Sequence, residues 1–179
     1  MVNLVSLTTA DRAFFSDVQT ANFPIWSFFQ RPNDTTAYSV GDVISNSTST
    51  ACQLHFPGSG ASGMINAAHL VIESAGATAD FELYIFDRPV TDHLDNAALS
   101  LSSGDLTACV HRFTFLNGAR SAVNATTHFY EMDGNVRFQT GRSFTTTTGA
   151  LYGLLALRGG AWTPTGLTRV VVRLSLESK

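Results

Sequence analysis

Alternation of apolar and polar residues with a period of two is the feature that most constrains the fold of this chain. Its clearest example spans residues 168–176, where four aliphatic residues alternate with positions that include Arg169 and Arg173. A period of two places successive side chains on opposite faces of a strand, so each such segment predicts a strand with one buried face. Similar alternation recurs at residues 50–56, 81–85, 107–115 and 151–157.

Residues 64–73 depart from this alternation because apolar side chains occur at both parities. Leu70 and Ile72 fall on one side of a strand, while Ile65 and Val71 fall on the other. Strands that read as continuous apolar runs are those covered on both faces. We therefore expect this strand to be central in its sheet, or covered on both sides.

Turn residues separate the segments and favour a compact antiparallel fold. A hinge is expected at Gly41, a loop at residues 57–60, a hairpin at residues 133–135 between strands near 127–132 and 136–140, and a chain reversal at residues 159–160. A short helical turn is expected near residues 95–106 and a polar loop at 117–126. The pattern predicts an all-β sandwich of jelly-roll type with about eight to ten antiparallel strands. An immunoglobulin-like sandwich is the alternative, but its Cys–Trp–Cys arrangement is absent.

Residues 1–35 lack a steady period and are expected to form an irregular N-terminal arm, with residues 36–179 as the sandwich domain. Asp11 is a candidate cap for a short helix over residues 12–20, while Pro24 and Pro32 interrupt longer elements. Such an arm either lies across a neighbouring molecule or folds back on its own domain. The predicted interaction residues are aromatic: Phe14, Phe15, Phe23, Trp26, Phe28, Phe29 and Trp162.

The composition argues for a folded protein with an unusually neutral surface. Apolar residues make up 44% of the chain and charged residues only 14%, whereas about a quarter is usual for soluble domains. A surface rich in Ser and Thr suits either a face covered by partners or simply a neutral β-protein. The net charge of -3 argues against nucleic-acid binding through a basic patch. No apolar run is long enough to span a membrane.

Residue types that carry chemistry are present, but their spacing favours structural roles. The five histidines form no recognised metal motif; Cys109 and His111 are expected to share a strand face, which supplies too few ligands for zinc. The serine at position 59 lies in a glycine-rich loop without the strand–turn–helix context of a nucleophile elbow. The acidic residues at 80–95 are interpreted as turn residues, although a glycosidase pair or a calcium loop would use the same types. We expect no catalytic residue, metal or cofactor, and two buried thiols at Cys52 and Cys109, with a disulfide left open.

Four segments carry a resemblance to a known family. They are Tyr38-Ser39-Val40-Gly41-Asp42-Val43-Ile44, Leu83-Tyr84-Ile85-Phe86-Asp87, Asn96-Ala97-Ala98-Leu99 and Ala150-Leu151-Tyr152-Gly153-Leu154-Leu155. Together they resemble small virion proteins of tailed bacteriophages, of the capsid decoration (cement) type, over about residues 36–176. The aromatic residues 1–35 have no counterpart in this pattern.

The resemblance implies a non-enzymatic virion protein that binds across major capsid protein subunits and stabilises the head. It implies self-association as a homotrimer or homodimer, and a location on the capsid exterior after synthesis in the host cytoplasm. From the net charge and the apolar runs, no nucleic-acid or membrane partner is expected. The alternative is a carbohydrate- or receptor-binding sandwich of a tail or head fibre, using Trp26 or Trp162 to stack on sugars. A sandwich hydrolase is a third, weaker interpretation.

Overall fold

The structure, a computed structural model, describes residues 22–49, 53–75, 77–91, 93–124, 126–131 and 142–178. Within these residues it contains one α-helix, α1 (Ser103–Ala108), and a single 3-10 turn (Asn117–Ala119). The same residues form eleven strands: β1 (Asn22–Gln30), β2 (Val43–Ile44), β3 (Leu54–Pro57), β4 (Ser62–Glu73), β5 (Asp80–Phe86), β6 (Cys109–Phe115), β7 (Arg120–Asn124), β8 (Thr127–Glu131), β9 (Arg142–Thr145), β10 (Ala150–Gly159) and β11 (Arg169–Ser178).

The strands form two antiparallel sheets packed as a sandwich. The larger sheet has six strands in the order β1-β11-β4-β8-β7, and β9 pairs with the other end of the long strand β4. The smaller sheet has five strands in the order β2-β10-β5-β6, and β3 pairs with the other end of β10. The predicted all-β sandwich is confirmed, whereas its assignment to the jelly-roll type stays a prediction.

The inner faces of the two sheets form the core as the alternation predicts. In β11 the four aliphatic residues Val170, Val172, Leu174 and Leu176 are fully buried. The facing strand β5 contributes the side chains of residues 81, 83 and 85, which are also fully buried. Burying an aliphatic or phenyl side chain contributes about 1.5–3 kcal/mol, so these alternating strands account for much of the stability.

A β-bulge explains the mixed pattern of β4. Ile65 pairs with Leu176 and Ala67 with Ser175, so Asn66 is an extra residue in β4. The extra residue shifts the parity, and both Ile65 and Ala68 therefore point into the core. On the outer face of β4, the side chains of Ala67, His69 and Val71 are half-buried, and no other described element packs on them.

The outer face of the smaller sheet is covered by its own chain. The segment from residue 87 to residue 108, which ends in α1, packs its apolar residues on Phe86 and Leu154. Ser102 caps α1: its hydroxyl accepts a hydrogen bond from the Asp105 amide, and the Asp105 carboxylate accepts one from the Ser102 amide. This capping box satisfies backbone donors at the start of the helix, so a six-residue helix holds the covering layer in place.

The predicted arm is wrong for the part that the structure describes. Residues 22–30 form β1, which pairs with β11 over nine residue pairs and belongs to the sandwich. Proline did not end the strand because Pro24 lies on its free edge: the Arg31 amide donates to the Thr168 carbonyl of the β11 side, so residues of opposite parity point their amides away from β11. Proline is tolerated there because no ladder hydrogen bond is lost.

Several other expectations can be compared with the described residues. Residues 120–124, expected within a polar loop, form β7, and the helix occupies 103–108 rather than starting near 95. The hinge at Gly41 is confirmed by its φ of 95°, a value that L-residues rarely adopt. The expectations for residues 1–21, Cys52, the 133–135 hairpin and the 136–140 strand lie outside the described residues.

Candidate functional site

The outward face of edge strand β1 presents two large aromatic side chains to solvent. Ile25 points into the core, and the neighbouring positions Trp26 and Phe28 point outward with 54% and 65% of their surfaces exposed. Large aromatic rings bury much area when they bind a partner. The same alternation that builds the sandwich therefore displays a pair of contact residues at its edge.

Two arginines of the neighbouring strand β11 hold these rings. The Arg173 guanidinium lies 5.2 Å from the centroid of the Trp26 ring, and the Arg169 guanidinium lies 5.2 Å from that of Phe28. The pairs arise from the register, which places Trp26 opposite Arg173. Cation–π contacts at exposed sites contribute about 0.5–1 kcal/mol each. We call Trp26, Phe28, Arg169 and Arg173 the β1 patch.

A groove of about 330 Å³ separates β1 from β3, where the edges of the two sheets meet. The His55 amide of β3 donates to the Ser27 hydroxyl of β1 at 3.0 Å and joins the two edges. The His55 ring is exposed and lies 5.2 Å from the Tyr152 ring. The groove is lined by Trp26, Ser27, Phe28, Phe29, Asn46, Gln53, Leu54, His55 and Pro57.

The structure places the predicted interaction residues in different environments. Trp26 and Phe28 are exposed, whereas Phe23 and Phe29 are half-buried and pack against the core. Phe14 and Phe15 lie outside the described residues.

Trp162 requires a correction, because it is 1% exposed and its ring is not available to a partner or a sugar. It stacks on Tyr38 at 5.2 Å and meets the edge of the Phe81 ring at 5.5 Å. A backbone bridge between Tyr38 and Trp162 holds the turn residue against the core. The indole is thus an anchor for its own domain, a role that its position in a turn beside Pro164 made as natural as partner binding.

A buried polar cluster surrounds Arg31, and no sequence pattern indicates it. The Arg31 guanidinium donates to the Asp95 carboxylate at 2.8 Å, and both side chains are fully buried. The Tyr38 hydroxyl accepts from Arg31 and donates to Asp95 at 2.5 Å. Asp95 also accepts from the Ser45 amide at 2.8 Å. The cluster joins the end of β1 to the β2 region and to the covering layer. Its two charged residues, Arg31 and Asp95, lie 64 positions apart in the sequence.

The positive charge of Arg31 is stabilised by the other members of this cluster. Burial lowers the pKa of Arg31, but Tyr38 and Asp95 together raise it above its usual value. Burial and the Asp95 carboxylate raise the pKa of Tyr38, so its hydroxyl stays protonated and keeps donating. Because the Asp95 oxygens accept hydrogen bonds from protein donors, they do not support the alternative of a calcium loop. Because its charged side chains are fully buried and bond to one another, the cluster has a structural role and stabilises the fold.

The Cys109 and His111 side chains do not share a strand face. Ile85 pairs with His111 and Phe86 pairs with Cys109, so a bulge at Val110 shifts the parity. His111 consequently lies on the core side and meets the edge of a phenylalanine ring, while Cys109 joins the outer cluster with Phe86. The Cys109 thiol is free and half-buried, and burial raises its pKa.

Within the described residues, no three His, Cys, Asp or Glu side chains converge in a way that could hold a metal ion. The acidic side chains of β5 have other partners: Asp80 accepts from the Asn117 amide at 2.7 Å, and Glu82 accepts from the Tyr84 hydroxyl at 2.5 Å. No helix in the described part of the chain is long and apolar enough to cross a membrane.

Comparisons with known proteins give little further constraint. No protein-family model matches the chain, and no curated protein sequence matches it. Among solved structures, a chain of Desmodium yellow mottle tymovirus is similar at 13% identity, over 98% of this chain and 88% of that chain, with a TM-score of 0.24. A TM-score this low carries no argument about fold or function.

Proposed function

We propose that this chain is a non-enzymatic structural protein of a virion that acts by binding neighbouring protein subunits. The observation that carries the proposal is the β1 patch, where two exposed aromatic rings contact arginines at the edge of the sandwich. Aromatic residues and arginine are the types enriched at energetically important positions of protein interfaces.

The strand order supports a jelly-roll architecture, one of the folds used for viral shells. Four pairings are nested along the chain: β1 with β11, β3 with β10, β4 with β8, and β5 with β6. A long antiparallel hairpin that rolls into a two-layer sandwich produces such nesting, because its outermost segments pair with each other. We infer that the sandwich is a jelly roll, with β2, β7 and β9 as additions to the eight nested strands.

The finer proposal is a capsid decoration protein that binds on the capsid exterior across junctions of the major capsid protein. The support is the resemblance of residues 38–44, 83–87, 96–99 and 150–155 to decoration proteins of tailed phages. Many identical copies on a symmetric shell convert small interfaces into a large combined effect through multivalency. The alternative within the same class is a protein that forms the shell itself.

Binding would use side chains rather than strand addition, because prolines blunt the two free edges beside the groove. Pro24 lies on the free edge of β1, and Pro57 has the same parity as His55, whose amide points away from β10 toward Ser27. Neither proline offers an amide to an added strand. The exposed rings of Trp26 and Phe28 therefore provide the contact.

The direct test is immunogold electron microscopy of virions purified from the source, with antibody against this chain. Label over the particle head supports a structural role, label over the whole head supports decoration, and label only at the tail favours receptor binding. Particles that carry no label contradict the virion proposal.

A binding assay with variants tests the β1 patch separately. Trp26→Ala and Phe28→Ala should each weaken co-sedimentation with capsids that lack this chain by about 30-fold, the effect of a contact residue worth about 2 kcal/mol. The matched control is Val123→Ala, since Val123 is 65% exposed on β7 at the opposite edge of the same sheet. Equal effects of the three substitutions would contradict the assignment of the patch.

The contribution of the N-terminal segment is tested by truncation after residue 21. Removing residues 1–21 leaves β1 in place, and we expect a folded protein with weakened capsid binding. Removing residues 1–30 also deletes β1 and exposes β11 along its edge, so loss of binding by that shorter protein would not distinguish an arm from misfolding. Undiminished binding after removal of residues 1–21 would refute the arm hypothesis.

Glycan binding is the second candidate, and the groove beside Trp26 favours it. Indole rings stack on sugar faces, and Asn46 and His55 supply polar groups at the same groove. A glycan screen with purified protein should then give saturable binding that Trp26→Ala abolishes. Binding that survives Trp26→Ala would rule out this groove as the site.

A further inference from the structure

The outer face of the six-stranded sheet carries a row of apolar side chains in register. The pairings place Phe28 beside Val171, Val171 beside Val71, and Val71 beside Phe129. The row therefore reads aromatic, valine, valine, aromatic across β1, β11, β4 and β8. An antiparallel sheet with a solvated outer face usually shows polar residues there, so this row is typical of a covered surface.

The two sheets differ in what covers their outer faces. Residues 87–108 cover the smaller sheet, whereas no described element packs on the outer face of the larger one. The sequence of β4 already predicted a strand covered on both sides. Any cover of this face therefore comes from outside the described residues.

Two polar atoms on this face are enclosed but lack a hydrogen-bond partner: Nδ1 of His69 and Nε of Arg173. The two residues are paired across β4 and β11. One atom is an obligate donor, because guanidinium nitrogens always carry protons, and a neutral imidazole nitrogen can be the acceptor. Unsatisfied polar atoms of this kind cost stability until a partner supplies the missing bond.

We propose that a second copy of this chain covers the face, through a two-fold interface in which the larger sheets pack against each other. A two-fold axis parallel to the strands, between β11 and β4, exchanges these two strands between the copies. It places Phe28 opposite Phe129 of the second copy and Val171 opposite Val71 of the second copy. The apolar row is thus complementary to itself, as an isologous interface requires.

The charged residues that flank the row fit the same symmetry. Within one copy, Arg169 pairs in register with Glu73, and their charged groups lie 3.7 Å apart. The two-fold axis also places Arg169 opposite Glu73 of the second copy, and Glu73 opposite Arg169 of the second copy. The axis also places Arg173 opposite His69 of the second copy, where a change of side-chain rotamer would give the enclosed Nε a partner. Charge and hydrogen-bond complementarity favour a second copy over an unrelated partner, because each group finds its match on the same surface.

Sedimentation velocity and multi-angle light scattering of the full chain test the interface. The wild-type chain should be a dimer, or a larger oligomer built from dimers, and Val71→Glu should raise the dissociation constant about 30-fold or more. Val123→Glu is the matched control and should leave the dissociation constant unchanged. Circular dichroism and thermal melting show whether each variant is folded.

A charge exchange distinguishes a second copy from any other occupant. Arg169→Glu and Glu73→Arg should each weaken dimerisation, and the double variant should restore it, because both copies carry both changes. Failure of the double variant to restore the dimer, although folded, overturns the proposed pairing.

This inference rests on the proposed assembly role and places Phe28 of the β1 patch in the contact between copies. Co-sedimentation of Phe28→Ala with capsids is therefore interpreted only after its oligomeric state is measured. The two proposals still fail separately. A wild-type monomer overturns the interface even if antibody labels the virion, and a dimer without virion label overturns the virion role alone. A monomer whose Val71→Glu variant no longer binds capsids would identify the capsid protein as the occupant of this face, which also overturns the dimer.

Discussion

The buried ion pair between Arg31 and Asp95 provides the sharpest test of what holds this sandwich together. Replacing Asp95 with alanine removes the buried counter-ion of the Arg31 guanidinium and leaves only Asp34, which is partly exposed. The change also removes the acceptor for the Tyr38 hydroxyl and for the Ser45 amide. Three donors then lose their partner at once, in a part of the fold that joins both sheets.

The expected loss is large because a buried charge has no water to replace its partner. Removing one member of a buried ion pair costs about 3–5 kcal/mol, which is a large share of the usual 5–15 kcal/mol stability of a domain. For a chain of this size each kcal/mol lowers Tm by about 2–4 °C, so Asp95→Ala should lower Tm by about 6–20 °C. Urea unfolding followed by circular dichroism gives the free energy of unfolding, and the slope should stay constant.

The matched control is the second carboxylate near the same guanidinium. Asp34 lies 3.4 Å from Arg31, but its side chain is partly exposed, so Asp34→Ala should cost less than about 1 kcal/mol. The double variant Arg31→Met with Asp95→Leu should recover much of the loss, because it removes both charges together. If Asp95→Ala lowers the free energy of unfolding no more than Asp34→Ala does, the stabilising role assigned to this cluster is refuted.

Three smaller predictions follow from local geometry. Burial and a neighbouring arginine lower the pKa of His128 from 6.5, so stability is complete above pH 6.5 and falls as the pH drops below it; His128→Gln should reduce this fall in urea titrations between about pH 7 and pH 5. The Ser102 hydroxyl and backbone amides lower the pKa of Asp105 from 3.8 to about 2, so the capping contribution is present above pH 3.8 and is lost toward pH 2. Ser102→Ala should therefore lower the free energy of unfolding by about 1 kcal/mol at neutral pH and by less in acid. A loss that does not change with pH would contradict the capping box. Gly63→Ala should destabilise by about 1–3 kcal/mol in thermal melts, because its Cβ would lie 2.6 Å from a backbone carbonyl oxygen of β11; an unchanged Tm would show that the strands separate easily.

Strands whose outer face carries polar residues could be predicted from sequence, and so could the long apolar strand β4, but β1 could not. In β11 the alternation is clean because Arg169 and Arg173 mark the outer face, and the predicted facing was confirmed. In β1 the outer positions are Trp26 and Phe28, so no polar residue marks a period of two. Pro24 added a misleading break, because its position on the free edge becomes evident only once the pairing with β11 is known.

The candidate site was predicted only in part, because exposure depends on partners distant in sequence. Trp26 lies among apolar residues of the chain and Trp162 lies among Gly, Thr and Pro, yet it is Trp162 that is enclosed, by Tyr38 and Phe81. The bulge that separates Cys109 from His111 leaves no sequence signal, since it depends on how β6 pairs with β5. The local sequence therefore identified the aromatic candidates, but contacts between residues distant in sequence determined which of them are exposed.

The low charge of the chain is consistent with the difference between its two sheets. A domain that covers both outer faces with its own segments needs charged residues on the covering layer, whereas a sheet face reserved for a partner does not. Here the smaller sheet is covered by residues 87–108, and the larger sheet leaves an apolar row flanked by few charges, among them Arg169 and Glu73. If the proposed two-fold interface forms, the charged fraction of 14% reflects surface removed from water by assembly, since interface cores are depleted of charge. A monomeric chain would leave that neutrality as a property of the β-fold alone, so the oligomeric state also tests the interpretation of the composition.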